Sequence, residues 1–413
     1  MLSALAVIPY IPFFALPYIS DDYLQIELGR KYGPMQAWGQ LAADALYRCR
    51  ATSILITNWT EQILGATPFV FQAESAVFHL LNTLLVAALG SWRVIGWRVA
   101  LPAAGFFAVH EGHQEAVAWY AALPELLVFF FAMLTLLVWL RWLEDGQRRG
   151  WWYGAALVLF VLALLSKESA VAVVPLMAGA AFLSGKPLRP VLVALVPFCV
   201  LSAGYAAAIF LSHATHLHLN DGTFTPGAHA ANVVVRSTLR LLWIWGVPAL
   251  LFLLLRHRMS QLRLIAASIV WIVVTLLPYS FLSYMPQVPS RHVYWASAGL
   301  AFLVGAAVAT IWESPRSHAR AAAAALAGVI VVHNCAYLWV RKLPQYERRA
   351  APTEKLLVFS EQVHGQITVK CFPYAAEVAA LALKIRAGRP MESTVLDPNA
   401  KAGEGVYCDE DHP

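Results

Sequence analysis

Ser20-Asp21-Asp22-Tyr23 follows an apolar, uncharged run that starts at the N-terminus and passes through Ile8-Pro9-Tyr10-Ile11-Pro12-Phe13-Phe14. Two adjacent carboxylates therefore stand where a first membrane helix, read over about 2–19, leaves the bilayer. Neighbouring like charges repel, and partial burial makes ionising both harder. An acidic pair at a membrane exit suits general-base or metal-binding chemistry. The alternative is a solvated helix cap, since aspartate is common at caps.

Of the 413 residues, 59% are hydrophobic and 13% charged, and the mean hydropathy is +0.60. Soluble chains carry about 25% charged residues, so the chain reads as an all-α polytopic membrane protein. The first apolar segment has no charged leader and no small-residue cleavage site before Asp21, so it reads as a retained helix and not a signal peptide. The net charge of +6 does not point to nucleic acid, because most basic residues sit in short loops between apolar segments, where they set orientation. Cys49, Cys199, Cys335, Cys371 and Cys408 form no CxxC or metal-type spacing, which excludes cysteine chemistry as the function. Without a GxxxxGK[ST] or dinucleotide glycine motif, nucleotide-driven transport is unsupported.

A span takes about 20 apolar residues. After the first segment, apolar runs follow at about 68–90, 96–110, 122–140, 151–165, 169–184, 190–212, 234–255, 262–279, 293–312 and 321–340, giving about 11 transmembrane helices. Residues 20–66 mix Glu27, Arg30, Lys31, Asp44, Arg48 and Arg50 with Trp38, Leu41, Leu46 and Ile54, a pattern of amphipathic helices lying on the interface. Alternate short loops carry Arg93 and Arg98; Arg141, Arg148 and Arg149; Lys186 and Arg189; Arg256, Arg258 and Arg263; Arg316 and Arg320. The positive-inside rule makes those loops cytoplasmic. It puts Asp21-Asp22, 110–115, Lys167, 213–233 and Arg291 on the extracytoplasmic face of a bacterial inner or cell membrane. The odd number of spans puts the tail there too. From Arg341 the composition becomes charged, dividing a transmembrane domain 1–340 from a small C-terminal α/β appendage 341–413. Gly365 to Pro373 reads as a strand ending in a turn, and Tyr374 to Ala387 has helical spacing. In an oxidising exported compartment, Cys371 and Cys408 are expected to pair.

Charged residues at membrane depth mark function, and they cluster in three further places. In His110-Glu111-Gly112-His113-Gln114-Glu115-Ala116-Val117-Ala118-Trp119-Tyr120, a helix would put His110 and His113 on one face and Glu111 and Glu115 on another. Metal binding, hydrogen-bonded site residues and plain interface polarity all fit that pattern. Leu165-Ser166-Lys167-Glu168-Ser169 reads as a self-neutralising surface pair or as a lysine aimed at an anion. Pro289-Ser290-Arg291-His292-Val293-Tyr294 offers a guanidinium whose planar fork matches phosphate, or a snorkelling anchor. A base with cations for a phosphate leaving group is the equipment for sugar transfer from a lipid phosphate. A transporter or flippase of a lipid-linked or anionic substrate is the alternative, but it would hold its ionisable residues near the midplane. A non-catalytic scaffold would leave the Asp pair, Lys167 and Arg291 far apart.

In that order the residues resemble the GT-C superfamily, multi-span glycosyltransferases that use polyprenyl-phosphate sugars. Among its members are the protein O-mannosyltransferases, the tetratricopeptide-bearing transmembrane mannosyltransferases and the lipid A aminoarabinose transferases. Asp21-Asp22 is similar to the acidic pair after the family's first span. His110 to Trp119, followed by Leu123-Pro124-Glu125-Leu126-Leu127, is similar to the His-Pro-x-His-x-Glu-Ala-Val segment and the acidic/leucine run after it. Ser166-Lys167-Glu168 resembles Ser-Lys-Glu, and Arg291 to Tyr294 resembles Glu-Arg-x-x-Tyr. Glu111 stands where proline is common, Pro289-Ser290 replaces the acidic residue before the arginine, and no tetratricopeptide array follows. The resemblance implies an inverting transfer from a polyprenyl-phosphate sugar to a glycan, lipid or protein hydroxyl. Asp21 or Asp22 would be the base, Asp21 being favoured, and Lys167 and Arg291 would hold the donor phosphate. His110, Glu111, His113, Glu168 and Tyr294 would complete the site. Some members need a divalent cation such as Mg or Mn, for which Asp21, Glu111 and His113 are the candidates here.

Overall fold

Pro9 and Pro12 stop the first apolar run from becoming a full α-helix: one turn-and-a-half of helix, Leu2–Val7, tightens into a 3-10 segment, Ile8–Ala15. A proline inside a helix removes a donor and crowds the preceding turn. The computed structural model describes residues 1–409 apart from 213, 216, 257, 258, 284, 402 and 404. Arg258 of the fourth basic loop and two positions of the 213–233 loop thus lie outside the described residues.

Every apolar segment read from the sequence holds an apolar helix, but not every helix has the length of a span. Pro68–Ser91, Tyr120–Glu144, Leu188–Phe210, Gln261–Phe281 and Ala319–Gln362 are long and apolar enough to cross a membrane, and the pair His229–Leu242 and Gly246–Leu255, bent by 81°, adds a sixth. Leu2–Ala15, Trp97–Val109, Gly150–Leu164, Glu168–Leu183 and Ser297–Trp312 fall in the 10–17 residue class, short of the roughly 20 residues a straight crossing takes. Among the described residues, length therefore supports five or six spans where the sequence reading has about 11.

The first loop forms the expected helices, Asp22–Tyr32, Trp38–Ala43 and Ala51–Leu64. The first lies so close to the third that a Cβ on Gly33 would meet the Asn58 Cβ at 2.2 Å, so the crossing tolerates only glycine. Arg30 and Glu61 pair at 2.6 Å across it. Below, an aromatic core of Tyr10, Phe107, Phe129 and Tyr294 packs around the buried His79 and His113.

The last apolar helix does not end at 340. Ala319–Ala336 runs through a π-helical turn, Tyr337–Lys342, into Leu343–Gln362, so one continuous rod joins the apolar region to the tail. The tail is a parallel three-stranded sheet, β1 Ile367–Cys371, β2 Thr394–Leu396 and β3 Val406–Cys408, in the order β2-β1-β3. Helix Ala376–Ala387 follows β1. Leu356 and Leu357 of the rod pack with Ile367, Val369, Leu383 and Tyr407 to form its core. Cys371 and Cys408 are joined in a disulfide, as expected. The tail also reaches the first loop, where Lys384 pairs with Glu27 at 2.5 Å.

Candidate active site

The two adjacent aspartates have different surroundings. Asp22 is fully buried, and each of its oxygens accepts a backbone N–H: Oδ2 from Ile19 and Oδ1 from Ala121, both at 2.8 Å. Burial pushes its carboxyl up to about 7 against the pull of those two donors, and the neighbouring charge of Asp21 adds to the push. Asp21 is half-buried, and the Ser20 hydroxyl donates to its Oδ1 at 3.2 Å. The turn before it is strained: Ser20 has φ of 48°, a region that residues with a Cβ rarely enter and that recurs at functional sites. Asp22 thus holds the loop in place, and Asp21 is the carboxylate of the pair left available.

Residues 119–125 collect the other charged groups. Trp119 donates its indole N–H to the Ile19 carbonyl at 3.2 Å. The guanidinium of Arg291 stands over the Trp119 ring at 5.1 Å, and that of Arg349, from the C-terminal rod, at 4.8 Å. Arg291 donates to Glu115 Oε1 at 2.6 Å, while its N–H (3.2 Å) and the Ser290 hydroxyl (2.7 Å) donate to Oε2. Burial alone would raise Glu115, but Arg291 and these hydrogen bonds outweigh it and hold the carboxyl below its ordinary value. The Gln114 amide links Ser290 (2.8 Å) to the Tyr346 hydroxyl (2.6 Å).

Four residues further on, Glu125 is the centre of a second, drier cluster. Lys167 and His292 Nδ1 both donate to its Oε1, and the Tyr279 hydroxyl donates to Oε2 at 2.6 Å. The Ser169 hydroxyl donates to the Tyr279 hydroxyl oxygen at 2.8 Å. Lys167 is 7% exposed, and burial lowers its pKa against the attraction of Glu125. Burial likewise lowers His292 to about 4, so the imidazole is neutral. Lys167 and Arg291 thus have different carboxylate partners, Glu125 and Glu115. They are joined through Glu125 and through His292, the residue after Arg291 on the same turn, Ser290–Val293. Glu168 belongs to the electrostatic surroundings of Lys167.

The His/Glu segment opens into separate contacts, because it folds as a 3-10 turn, Glu111–His113, and a short helix, Gln114–Ala118. His113 is fully buried and bonds the Ser297 hydroxyl through Nε2 at 2.6 Å. His110 Nδ1 lies 3.5 Å from Glu111 Oε2, beside a cavity of about 290 Å³ that Gln114, Ser290, Arg240, Trp245 and Lys342 also line. Tyr294 is buried below, its hydroxyl 2.9 Å from His79 Nδ1 and 3.3 Å from the Asn82 amide nitrogen. Asp21, Glu111 and His113 thus have three different sets of neighbours. Among the described residues no three His, Cys, Asp or Glu side chains converge to hold a metal ion.

Several residues of this arrangement were not singled out from the sequence: Trp119, Glu125 as a hub, Tyr279, His292 and Arg349. Glu125 carried a signal, a carboxylate opening an otherwise apolar 22-residue helix, Leu123–Glu144. Arg349 carried none beyond lying in a charged tail.

No protein-family model matches the chain. Protein O-mannosyl-transferase Tmtc2 of Drosophila melanogaster is 33% identical over 111 residues, which is 26% of this chain and 12% of that protein's length. ArnT from Cupriavidus metallidurans, solved bound to undecaprenyl phosphate, matches with a TM-score of 0.53 and 12% identity over 96% of this chain and 89% of ArnT. The Archaeoglobus fulgidus oligosaccharyltransferase, tethered to an acceptor peptide containing the NVT sequon, matches with a TM-score of 0.53 and 11% identity over 96% of this chain and 63% of its own. With these likenesses and the four motifs in family order, the chain has the fold of the GT-C superfamily of membrane glycosyltransferases.

Proposed function

We propose that this chain is a membrane glycosyltransferase that moves a sugar from a polyprenyl-phosphate donor to an acceptor hydroxyl at the extracytoplasmic face, with inversion. The Asp21 carboxylate takes the proton of the acceptor hydroxyl as its oxygen bonds to the anomeric carbon. The bond from that carbon to the donor phosphate oxygen breaks on the opposite side, and polyprenyl phosphate leaves. Arg291, oriented by Glu115, stabilises the charge that grows on the departing phosphate. In this reading Lys167 supports the site through Glu125 and His292, which hold the turn that carries Arg291.

One observation carries the reading: Asp22, Arg291 and, through Glu125, Lys167 meet on residues 119–125 although they come from distant parts of the chain. ArnT's bound undecaprenyl phosphate supports a lipid-phosphate donor by analogy of fold. The test is transfer in proteoliposomes from a panel of radiolabelled polyprenyl-phosphate sugars to endogenous acceptor extract, with wild type and Asp21→Asn. Transfer by wild type and loss of at least a hundredfold in the folded variant is expected. Intact movement of the lipid-linked sugar across the bilayer without transfer would instead establish the flippase reading.

A further inference from the structure

The C-terminal rod, Leu343–Gln362, is built into the candidate site. Its Tyr346 donates to Gln114 Oε1 at 2.6 Å, and one turn later Arg349 stands over Trp119 at 4.8 Å. The tail fixes that turn from the other side, where the Tyr374 hydroxyl donates to the Arg349 carbonyl at 2.5 Å. Two guanidinium groups thus share one indole, yet they are compensated differently. Arg291 has Glu115 at 2.6 Å. Among the described residues no carboxylate pairs with the Arg349 guanidinium. Asp22 feels the Arg349 charge without forming an ion pair with it, and each Asp22 oxygen accepts a backbone N–H. Arg349 is half-buried. A partly desolvated, unneutralised cation beside a neutralised one leaves a place for one added negative charge.

We propose that Arg349 is a second anion-binding group of the donor-phosphate site, matched to the leaving phosphate more than to the intact donor. The inference rests on the glycosyltransferase reading. A polyprenyl-phosphate sugar is a phosphodiester with one negative charge. When the glycosidic oxygen leaves with its bonding electrons, the phosphate becomes a monoester approaching two negative charges, since its second pKa is about 6. Arg291 faces the charge present throughout, and Arg349 faces the charge that appears as the bond breaks. An interaction stronger in the transition state than in the ground state raises kcat and not donor affinity. The tail therefore supplies part of the site instead of being an appendage to it.

The test uses the purified full chain in detergent, with undecaprenyl phosphate as the probe, and Arg349→Ala, Arg349→Lys and Tyr346→Phe variants. Arg349→Ala is expected to weaken binding of undecaprenyl phosphate by about tenfold or more, the scale of a hydrogen bond to a charged group. It should lower kcat by a similar factor and change the donor KM by less than about threefold. Arg349→Lys, which keeps the charge but loses the fork, should recover part of both. Undecaprenyl phosphate binding and kcat within twofold of wild type in a folded Arg349→Ala protein overturn the proposal. So does an equal loss in Tyr346→Phe, which would assign the effect to seating of the rod. Absence of transfer and of undecaprenyl phosphate binding by wild type would refute the glycosyltransferase reading itself, and this inference with it.

Discussion

The backbone N–H of Ala121 donates to Asp22 Oδ1 at 2.8 Å across 99 residues of sequence. With the Ile19 N–H on Oδ2, it makes Asp22 the clasp that ties the Asp21-Asp22 turn to Ala121. Asparagine offers one acceptor oxygen in place of two and turns an amide N–H toward one of the backbone donors. Leaving a buried donor unsatisfied costs about 1–3 kcal/mol. Asp22→Asn should therefore lower the unfolding temperature in detergent, while Asp21→Asn, at a half-exposed position, should change stability by no more than about 0.5 kcal/mol and still abolish transfer. Equal melting temperatures for the two variants would refute the division of labour.

The same buried carboxyl gives stability a pH dependence of definite sign. Asp22 is raised from an ordinary 3.8 to about 7, so between those values the folded chain holds a proton that the unfolded chain has released. Stability must fall as pH rises through that window and level off above it. Melts of wild type and Asp22→Asn from pH 4.5 to 8 should show a downward slope in the first that is reduced in the second. Parallel curves would mean that Asp22 titrates alike in both states.

Glu125 receives Lys167, His292 and Tyr279 in a buried setting. Removing its charge strands the Lys167 ammonium, and breaking a buried pair by deleting one partner costs about 3–5 kcal/mol. Glu125→Gln should be strongly destabilised. Glu125→Gln with Lys167→Met should be less destabilised than the two single changes summed, because no uncompensated charge remains. Strict additivity in a thermal double-mutant cycle would show that the pair is not coupled.

How much of this could be read from the sequence depends on whether the signal is local. The strand and helix of the tail, 367–371 and 376–387, follow from local pattern, and its disulfide joins the two cysteines that the sequence reading pairs. The four charged motifs stood out because charge is rare in apolar runs. The partners did not, because Glu125 is joined to residues 42, 154 and 167 positions away, and no periodicity encodes such pairings. Asp21 and Asp22 are chemically identical in sequence; burial and the Ile19 and Ala121 N–H groups on Asp22 separate them. Helix length alone does not return the count of about 11 spans, because hydropathy does not register where Pro9 and Pro12 tighten a helix or that five of the apolar helices are shorter than a straight crossing.

Cys371 and Cys408 close 37 residues of chain, a loop whose cross-link stabilises by about 3–4 kcal/mol on the chain-entropy model. The cross-link joins the ends of β1 and β3, and its loop includes Tyr374, which fixes the Arg349 turn. Cys371→Ser should therefore loosen the sheet first: protease should cut within 388–405 faster than in wild type, and reductant should reproduce this in wild type but not in the variant. Because the rod is also held by Tyr346 on Gln114, transfer should fall only partly, by less than in Arg349→Ala. Unchanged protection of the tail with and without reductant would show that the Leu356, Ile367 and Tyr407 packing holds the sheet unaided, and that the covalent link adds nothing to the seating of Arg349.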